Sequence, residues 1–237
     1  MSRLTKWMDR ALYPRYEKNW DDELFRAEIL SRLSPEMVIL DLGAGAGIVE
    51  QMNFRGLAST VHGVDLDPRV VDNPFLDEGR ISDAGEIPYP DAMFDLVFSD
   101  NVFEHLDRPL DVFEEVARVL KPGGLFLFKT PNKWHYMPTI ARLTPHGFHQ
   151  FINRLRGRAE VDTFPTRYLA NTAGDIKKLA KLSGYDVLSI QRIEGRPEYL
   201  RMTAATYSIG FLYERLVNTT RLLECFRVLL IGTLRKQ

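Results

Sequence analysis

The residues best suited to chemistry in this chain are acids and glycines that come directly after short apolar runs. Asp41 lies in the apolar run of residues 38–42, and glycines then occupy alternate positions at Gly43, Gly45 and Gly47. A β-branched run that breaks into glycines predicts a buried strand entering a tight turn, where backbone can lie against a ligand. Acids recur after the next two runs, at Asp65 and Asp83.

Two ligand classes, dinucleotides and S-adenosylmethionine, are held by a glycine turn with an acid after the second strand. The spacing here is G-x-G-x-G, which does not meet the G-x-G-x-x-G fingerprint of dinucleotide sites. Asp41 would repel a pyrophosphate, whereas it could hold an amino-acid ammonium group. The acidic turn Asp83-Ala84 precedes an apolar loop suited to an adenine ring. These residues favour a sulfonium cofactor.

The elements that must position these residues are apolar strands alternating with helices. A helical cap is expected over residues 1–36, and an aromatic, basic and His-rich stretch interrupts the alternation after residue 130. Near-continuous apolar strands of this kind predict a parallel sheet buried on both faces. Strands are predicted at 37–42, 60–64, around 81, 94–99, 125–129, 185–193 and 226–234, and helices at 48–54, 109–120, 172–182 and 198–217.

Local signals fix several of these boundaries. Asp107 is the expected N-cap of the helix at 109–120, and Thr172 opens a capping box for the next helix. Gly184 is its expected C-terminal stop. Residues 226–234 could form a strand or a helix, and their central β-branched residues favour a strand.

The chain resembles the class I S-adenosylmethionine-dependent methyltransferases of the small-molecule, type 11-like group. The resemblance is strong from about residue 36 to 131 and loose at 172–193 and 226–234. It rests on the order and spacing of motifs at 40–47 (LDLGAGAG), 63–65 (GVD), 83–97, 102–106 (VFEHL) and 115–124 (EVARVLKPGG).

The resemblance implies a doubly wound, Rossmann-like α/β fold. Its sheet would have seven strands in the order 3-2-1-4-5-7-6, with strand 7 antiparallel. A single domain over residues 1–237 would then carry a helical N-terminal cap (1–36), an acceptor-lid insertion (131–168) and a helical insertion before the last strand (197–225).

The resemblance also implies S-adenosylmethionine as cofactor, with S-adenosylhomocysteine as product, and no metal. Asp41 would hold the ammonium side, Asp65 the ribose hydroxyls, and Asp83 the adenine amino group. Taken alone, Asp65 could equally be a turn cap. The complete predicted cofactor set is Asp41, Gly43, Ala44, Gly45, Gly47, Asp65, Leu66, Asp83, Ala84, Ser99 and Asn101.

Methyl transfer from a sulfonium is an in-line displacement that needs mainly positioning, with a base where the acceptor is a hydroxyl. The candidate bases are His105 and His135, although packing is an equally available role for each histidine. The spacing of His146 and His149 would suit a metal ion, but no matching carboxylate pair is evident. Predicted acceptor contacts are Trp134, Tyr136, His146, His149, Tyr13 and Tyr16.

Composition fits one large globular domain or two small ones, with 237 residues, 45% hydrophobic and 27% charged. The single cysteine, Cys225, rules out an internal disulfide framework and fits a reducing, cytoplasmic setting. No apolar run reaches the length of a membrane span. Residues 1–117 carry 11 Lys and Arg against 24 Asp and Glu, whereas 118–237 carry 20 against 8. The second half therefore either forms a solvated face or meets something anionic.

Three functions are consistent with these patterns. The first is O-methylation of a small, anionic acceptor such as a sugar, a glycolipid precursor or a secondary metabolite. The alternative is a nucleic-acid methyltransferase, which the basic half permits but which lacks the Asn-Pro-Pro-aromatic motif of base-amino enzymes. The third is a non-catalytic protein that binds the cofactor. The apolar helix at 207–217, with Arg215 and Arg221, also allows a peripheral membrane contact.

Overall fold

The computed structural model describes residues 2–14, 16, 19–143 and 165–237. Its sheet has seven strands in the order β3-β2-β1-β4-β5-β7-β6, which confirms the predicted fold class. The strands are β1 Val38–Leu42, β2 Thr60–Asp65, β3 Glu78–Ile81, β4 Phe94–Asp100, β5 Leu120–Pro131, β6 Tyr185–Ile193 and β7 Leu229–Lys236.

The sheet is mixed, with β1 at the point where the strand order reverses. Ile39 of β1 is paired in parallel with Val61 of β2 on one side and with Leu96 of β4 on the other. β7 runs against β5, because the Asn132 N–H donates to the Val228 carbonyl at 2.8 Å at one end. At the other end the Lys236 Nζ donates to the Leu120 carbonyl at 2.7 Å.

The helices agree with several of the predicted boundaries. Thr172 caps its helix by accepting the Asp175 N–H at 3.0 Å, and Gly184 follows that helix with a φ of +74°. The α-helices are α1 Arg3–Leu12, α2 Trp20–Leu30, α3 Pro109–Val119, α4 Tyr136–Leu143, α5 Ala173–Leu182 and α6 Ala204–Thr219. Short 3₁₀ helices lie at Glu50–Met52, Pro68–Asp72, Phe103–His105, Glu198–Leu200 and Arg221–Phe226.

The helix predicted at 48–54 is wrong, since only a single 3₁₀ turn forms there, at Glu50–Met52. Gly47 has a φ of +69°, so the chain leaves the glycine turn in a non-helical direction. Two β-branched residues follow, Ile48 and Val49, and β-branched side chains lose rotamer freedom in a helix. The few residues that remain before Gly56 cannot offset the cost of helix nucleation.

Two other boundaries differ from the prediction. Arg108, not Asp107, is the N-cap of α3, and it makes no side-chain cap bond because a guanidinium has no acceptor atom. Pro109 starts the helix. Asp107 instead pairs with Arg167 at 2.7 Å. The segment predicted as one helix at 198–217 breaks into a 3₁₀ turn and α6, and Thr203 caps α6 in a capping box.

The main core fills the space under β4 and β5 with phenylalanines. Phe103 stacks on Phe128 with ring centroids 5.0 Å apart, and Phe113 and Phe126 pack edge to face at 5.6 Å. All four are fully buried. A Cβ built on Gly232 of β7 would lie 2.3 Å from Phe128 Cζ, so this packing requires a glycine there.

The chain forms two compact units. The sheet unit comprises residues 19–130, 167–191 and 230–237, and the helical unit comprises 1–18, 131–166 and 192–229. The organisation as a single domain stays a prediction, and most of the expected acceptor lid, residues 144–164, lies outside the described residues. Within the part of the chain that the structure describes, no helix is both long and apolar enough to cross a membrane.

Candidate functional site

The glycine turn after β1 is shaped by contacts that exclude side chains. Gly43 has a φ of +86°, and a Cβ on it would lie 2.3 Å from Val102 Cγ2. Gly47 has a φ of +69°, and a Cβ there would lie 2.3 Å from Asn73 Oδ1. The Gly43 N–H donates to the Val64 carbonyl at 2.8 Å, which fixes the turn to the end of β2. The turn therefore presents bare backbone at the carboxyl end of the sheet.

Asp65, the last residue of β2, holds this turn in place. Its Oδ2 accepts the Gly45 N–H at 2.8 Å, and its Oδ1 accepts the Asp67 N–H at 2.8 Å. Each carboxylate oxygen can accept a further hydrogen bond. Asp65 is thus a turn cap whose carboxylate can still accept hydrogen bonds from a ligand. It lies next to the exposed Leu66. Its ribose-binding role stays a prediction.

Asn73 also holds the turn, and the sequence analysis missed it. Its buried side chain donates from Nδ2 to the carbonyls of Ala44 at 3.0 Å and Gly45 at 3.2 Å. Its Oδ1 accepts the Phe75 N–H at 2.9 Å. The only sequence signal is the pair Asn73-Pro74, which indicates a turn and not a contact with the glycines.

Asp41 is a buried acid with acidic neighbours. Burial raises the pKa of its carboxyl well above the usual range, and the negative charges of Asp100 and Asp65 raise it further. No side chain among the described residues forms a hydrogen bond or ion pair with this carboxyl group. Such a site suits a positively charged group and repels a pyrophosphate.

The remaining predicted cofactor residues lie at the end of β4 and on the loops that follow β3 and β4. The Ser82 N–H donates to the Asp65 carbonyl at 3.0 Å, which brings the Asp83 loop beside β2. Asp83 is exposed, and its Oδ1 accepts the Gly85 N–H at 2.7 Å. Ala84 packs against the core. The structure therefore gathers the ends of β1, β2 and β3 at one edge.

The end of β4 adds a polar group and a strained residue. The Ser99 hydroxyl is buried and has no hydrogen-bond partner among the described residues. Asn101 has a φ of +54°, and its N–H donates to the Lys129 carbonyl at 2.8 Å. The left-handed backbone of Asn101 lies next to Val102, whose side chain contacts Gly43.

A buried ion cluster behind β4 is a second feature that the sequence analysis missed. The Lys129 ammonium has no solvent exposure, and its Nζ lies 2.9 Å from Asp100 Oδ1 and 3.3 Å from Asp21 Oδ2, with Asp22 a third partner. Burial lowers the pKa of Lys129, but the three carboxylates raise it more, so the amine stays charged. Burial also raises the pKa of Asp100 to about 6.

His105 and Glu104 follow β4 on the 3₁₀ helix Phe103–His105. The His105 side chain is partly exposed, and its Nε2 lies 3.9 Å from Glu104 Oε1. Glu104 is buried, and burial raises its pKa to about 7. Thr130 donates its hydroxyl to Glu104 Oε2 at 3.3 Å, and Asn171 donates to Thr130 at 2.7 Å. A reachable imidazole thus lies beside a carboxyl that can gain or lose a proton near neutral pH.

His135 belongs to the helical unit and is buried there. Burial lowers the pKa of its imidazole to about 3. Its Nε2 lies 3.7 Å from Glu194 Oε2, and burial raises the pKa of Glu194 to about 8. The Tyr136 ring lies 4.0 Å from the His135 ring. The pair is therefore enclosed, and its predicted catalytic role stays a prediction.

The predicted acceptor residues of the helical unit differ in exposure. Trp134 is exposed, with Lys133 Nζ 5.7 Å from its ring. Tyr13 is buried and donates its hydroxyl to Glu214 Oε2 at 2.9 Å, and Tyr16 lies edge-on to it at 5.5 Å. Their acceptor roles stay predictions.

His146 and His149 lie outside the described residues. Among the residues that are described, no group of three or more His, Cys, Asp and Glu side chains could hold a metal ion.

Comparison with known proteins identifies related sequences. The methyltransferase domain family matches residues 40–128. A probable S-adenosylmethionine-dependent methyltransferase of Mycolicibacterium smegmatis is 31% identical over 154 residues, 63% of this chain and 52% of the relative. The ubiquinone biosynthesis O-methyltransferase of Paraburkholderia phytofirmans is 30% identical over 135 residues, 50% of this chain and 58% of the relative. The chain thus spans little more than half the length of these two relatives.

Solved structures share the fold. The [4+2]-cyclase SpnF aligns with a TM-score of 0.60 over 94% of this chain and 84% of its own, at 18% identity. A likeness at this identity shows the architecture alone, since one fold hosts many chemistries. The family match, in contrast, covers the glycine turn and the acids that surround it. Residues 40–128 are therefore similar to the methyltransferase domain family, and the sheet that carries them has the strand order expected for a class I S-adenosylmethionine-dependent methyltransferase.

Proposed function

We propose that the protein transfers a methyl group from S-adenosylmethionine to an oxygen of a small acceptor. The observation that carries the proposal is Asp41, a buried carboxyl with no partner among the described side chains, directly before the glycine turn. Buried acids of this kind are stabilised by a cationic ligand. An amino-acid ammonium or a sulfonium supplies that charge, whereas a dinucleotide would place its anionic pyrophosphate at the glycine turn.

The other side chains of the sheet unit fit the rest of the cofactor. Asp65 would accept the ribose hydroxyls on the lone pairs left over from its two backbone bonds. Leu66 offers exposed apolar surface for the adenine ring, and Asp83 would accept its amino group. The backbone from Gly43 to Gly47 can approach the ligand closely because no Cβ intervenes at its glycines.

Bound S-adenosylmethionine supplies an electrophilic methyl carbon on a sulfonium. The protein then has to align the acceptor oxygen behind that carbon and remove its proton. We assign proton removal to His105, because its ring is partly exposed whereas the ring of His135 is buried. Glu104 Oε1, 3.9 Å from His105 Nε2, would stabilise the imidazolium that forms.

An oxygen acceptor is supported by one group of curated relatives, the ubiquinone biosynthesis O-methyltransferases, whereas others are named as sarcosine/dimethylglycine N-methyltransferases. The excess of basic residues in 118–237 supports an acceptor that carries a phosphate or carboxylate. The same excess of basic residues would suit a nucleic acid, so the acceptor class has to be determined by identifying the methylated product.

Calorimetry with S-adenosylhomocysteine tests the cofactor assignment. Losing hydrogen bonds to a charged group costs about 1.5–3 kcal/mol, so Asp65→Ala should weaken binding by roughly 10- to 150-fold. Asp91→Ala is the matched control, because Asp91 is an exposed acid of the same unit that pairs with Arg118 at 2.7 Å. No binding to the wild-type protein, or an Asp65→Ala affinity within twofold of it, would contradict the assignment.

The acceptor is then sought with labelled cofactor in a metabolite extract and, separately, in total RNA. Label in a small anionic compound that is released by chemical cleavage of an O-methyl bond supports the proposal. Label in RNA alone would favour the nucleic-acid alternative. Cofactor binding without any transfer to either mixture would favour a non-catalytic binding protein.

A further inference from the structure

Helix α6 of the helical unit has a buried face and, opposite it, an exposed apolar face. One face is buried and consists of Tyr207, Gly210, Glu214 and Val217. The other face is exposed, with side chains that recur at helical spacing and remain 63%, 65% and 57% accessible at Ile209, Leu212 and Leu216. A helix normally turns such a stripe toward a core. The second stripe of α6 therefore has no partner among the described residues.

Two neighbouring elements also expose apolar side chains. The 3₁₀ helix Arg221–Phe226 follows α6 and exposes Leu222 and Phe226. Helix α1 runs beside α6, because the Tyr207 hydroxyl donates to Asp9 Oδ1 at 2.9 Å and Tyr13, directly after the last residue of α1, donates to Glu214. We call the exposed apolar set on these three elements the apolar surface: Leu4, Trp7, Ile209, Leu212, Leu216, Leu222 and Phe226.

The charges on these elements have one sign where they are exposed. The exposed charged residues are Arg3, Lys6, Arg10, Arg215 and Arg221. The acids of the same elements are buried or ion-paired: Asp9 pairs with Arg201 at 2.5 Å, Glu214 is buried, and the partly exposed Glu224 pairs with Arg192 at 2.6 Å. Exposed, unpaired acids are thus absent from these three elements, and their exposed charged residues are all basic.

We propose that the apolar surface binds the face of a lipid bilayer that contains anionic lipids, without crossing it. Leu, Ile and Trp side chains on a helix flanked by Arg and Lys are the composition that enters the boundary between headgroups and acyl chains. The five basic residues are attracted to anionic headgroups. A second copy of the chain would instead bring the same basic residues against each other, which opposes self-association through this surface.

Vesicle sedimentation tests this proposal with the whole 237-residue chain. Wild type should bind vesicles of phosphatidylcholine and phosphatidylglycerol at least tenfold more tightly than vesicles of phosphatidylcholine alone. Leu212→Glu should weaken binding to the mixed vesicles at least tenfold. Leu182→Glu is the matched control, since Leu182 is a leucine of the sheet unit that is 59% exposed, and it should bind within twofold of wild type.

A second variant keeps the test valid if Leu212→Glu does not fold. The double substitution Lys6→Glu and Arg10→Glu reverses two exposed charges of α1 and should also weaken binding at least tenfold, with the loss abolished at high salt. Failure of wild type to bind anionic vesicles at low salt would overturn the proposal. So would an equal loss in Leu182→Glu, or a wild-type dimer in sedimentation velocity that Leu212→Glu converts to monomer, which would identify a second copy as the occupant.

Discussion

Asn73 donates its side-chain N–H to the carbonyl of Ala44 at 3.0 Å, from a loop 29 residues further along the chain. The same nitrogen reaches the carbonyl of Gly45 at 3.2 Å. Asp65 holds the opposite, N–H side of Gly45 at 2.8 Å. The peptide groups of the glycine turn are therefore fixed from both sides, which orients the backbone before any ligand arrives.

Asn73→Ala should loosen this turn and weaken S-adenosylhomocysteine binding about tenfold. The variant loses hydrogen bonds worth about 0.5–1.5 kcal/mol each. Asn53→Ala is the control, because Asn53 also bonds a backbone N–H, that of Arg55 at 3.1 Å, but away from the glycine turn. Titration calorimetry should show the loss for Asn73→Ala only. Equal affinities, or equal losses in both variants, would show that Asn73 does not position the turn.

Gly47 and Gly56 separate the cost of backbone strain from the cost of a clash. Both have positive φ, +69° and +79°, but a Cβ on Gly56 meets nothing within 4 Å whereas one on Gly47 meets Asn73 Oδ1 at 2.3 Å. Gly56→Ala should cost about 1–2 kcal/mol of unfolding free energy. Gly47→Ala should cost clearly more and should also reduce cofactor affinity. Urea denaturation measures the free energy of unfolding, and similar losses of it in the two variants would contradict the expected clash.

The glycine turn and the strand ends that surround it could be predicted because their signals are local, whereas their cofactor contacts stay predictions. The glycine spacing, the acids at strand ends and the cap at Thr172 each lie within a few residues of the structure they specify. Asn73 and Lys129 could not be found in this way, since their partners are far along the chain and the residue types alone indicate a turn and a strand. Lys129 bonds to Asp21 across 108 residues.

The error at 48–54 has a different physical origin. Turns of this kind usually feed a helix, but two β-branched residues and the positive φ of Gly47 favour a single 3₁₀ turn. The acceptor side could be predicted least, because no short motif there specifies a structure. His135 and Tyr13 are aromatic residues in a polar stretch, and the sequence does not show that both are buried.

Glu104 should make stability depend on pH. Burial raises its pKa to about 7, against about 4.3 for an unfolded glutamate. Between these values the folded state binds more protons than the unfolded state, so stability falls as pH rises through this range and is constant above it. This loss of unfolding free energy is on the order of 3 kcal/mol, and it should be absent in Glu104→Gln. Urea denaturation of both proteins at pH 5 and pH 8 should show this difference, and parallel changes would contradict it.

Lys129→Met should be strongly destabilising, because it leaves Asp100 and Asp22 buried without their cation. Removing one partner of a buried ion pair costs about 3–5 kcal/mol. Lys121→Met provides the comparison, since Lys121 pairs with Asp95 at 2.7 Å but remains accessible to solvent, and exposed pairs contribute about 0–1 kcal/mol. Thermal unfolding followed by circular dichroism distinguishes them, and comparable losses would show that the cluster tolerates an unpaired carboxylate.

His105→Ala tests the step assigned to the imidazole. General-base catalysis contributes roughly 10²- to 10⁴-fold, so kcat should fall by that factor while S-adenosylhomocysteine affinity stays within about twofold. The matched substitution is His135→Ala, which removes a buried ring. Its main effect should be a loss of stability, measured by thermal unfolding, with a smaller effect on kcat. Since Glu104 Oε1 lies 3.9 Å from His105 Nε2, Glu104→Gln should also lower kcat, because it removes the charge that would stabilise the imidazolium. An unchanged kcat in both Glu104→Gln and His105→Ala would assign proton removal to another group.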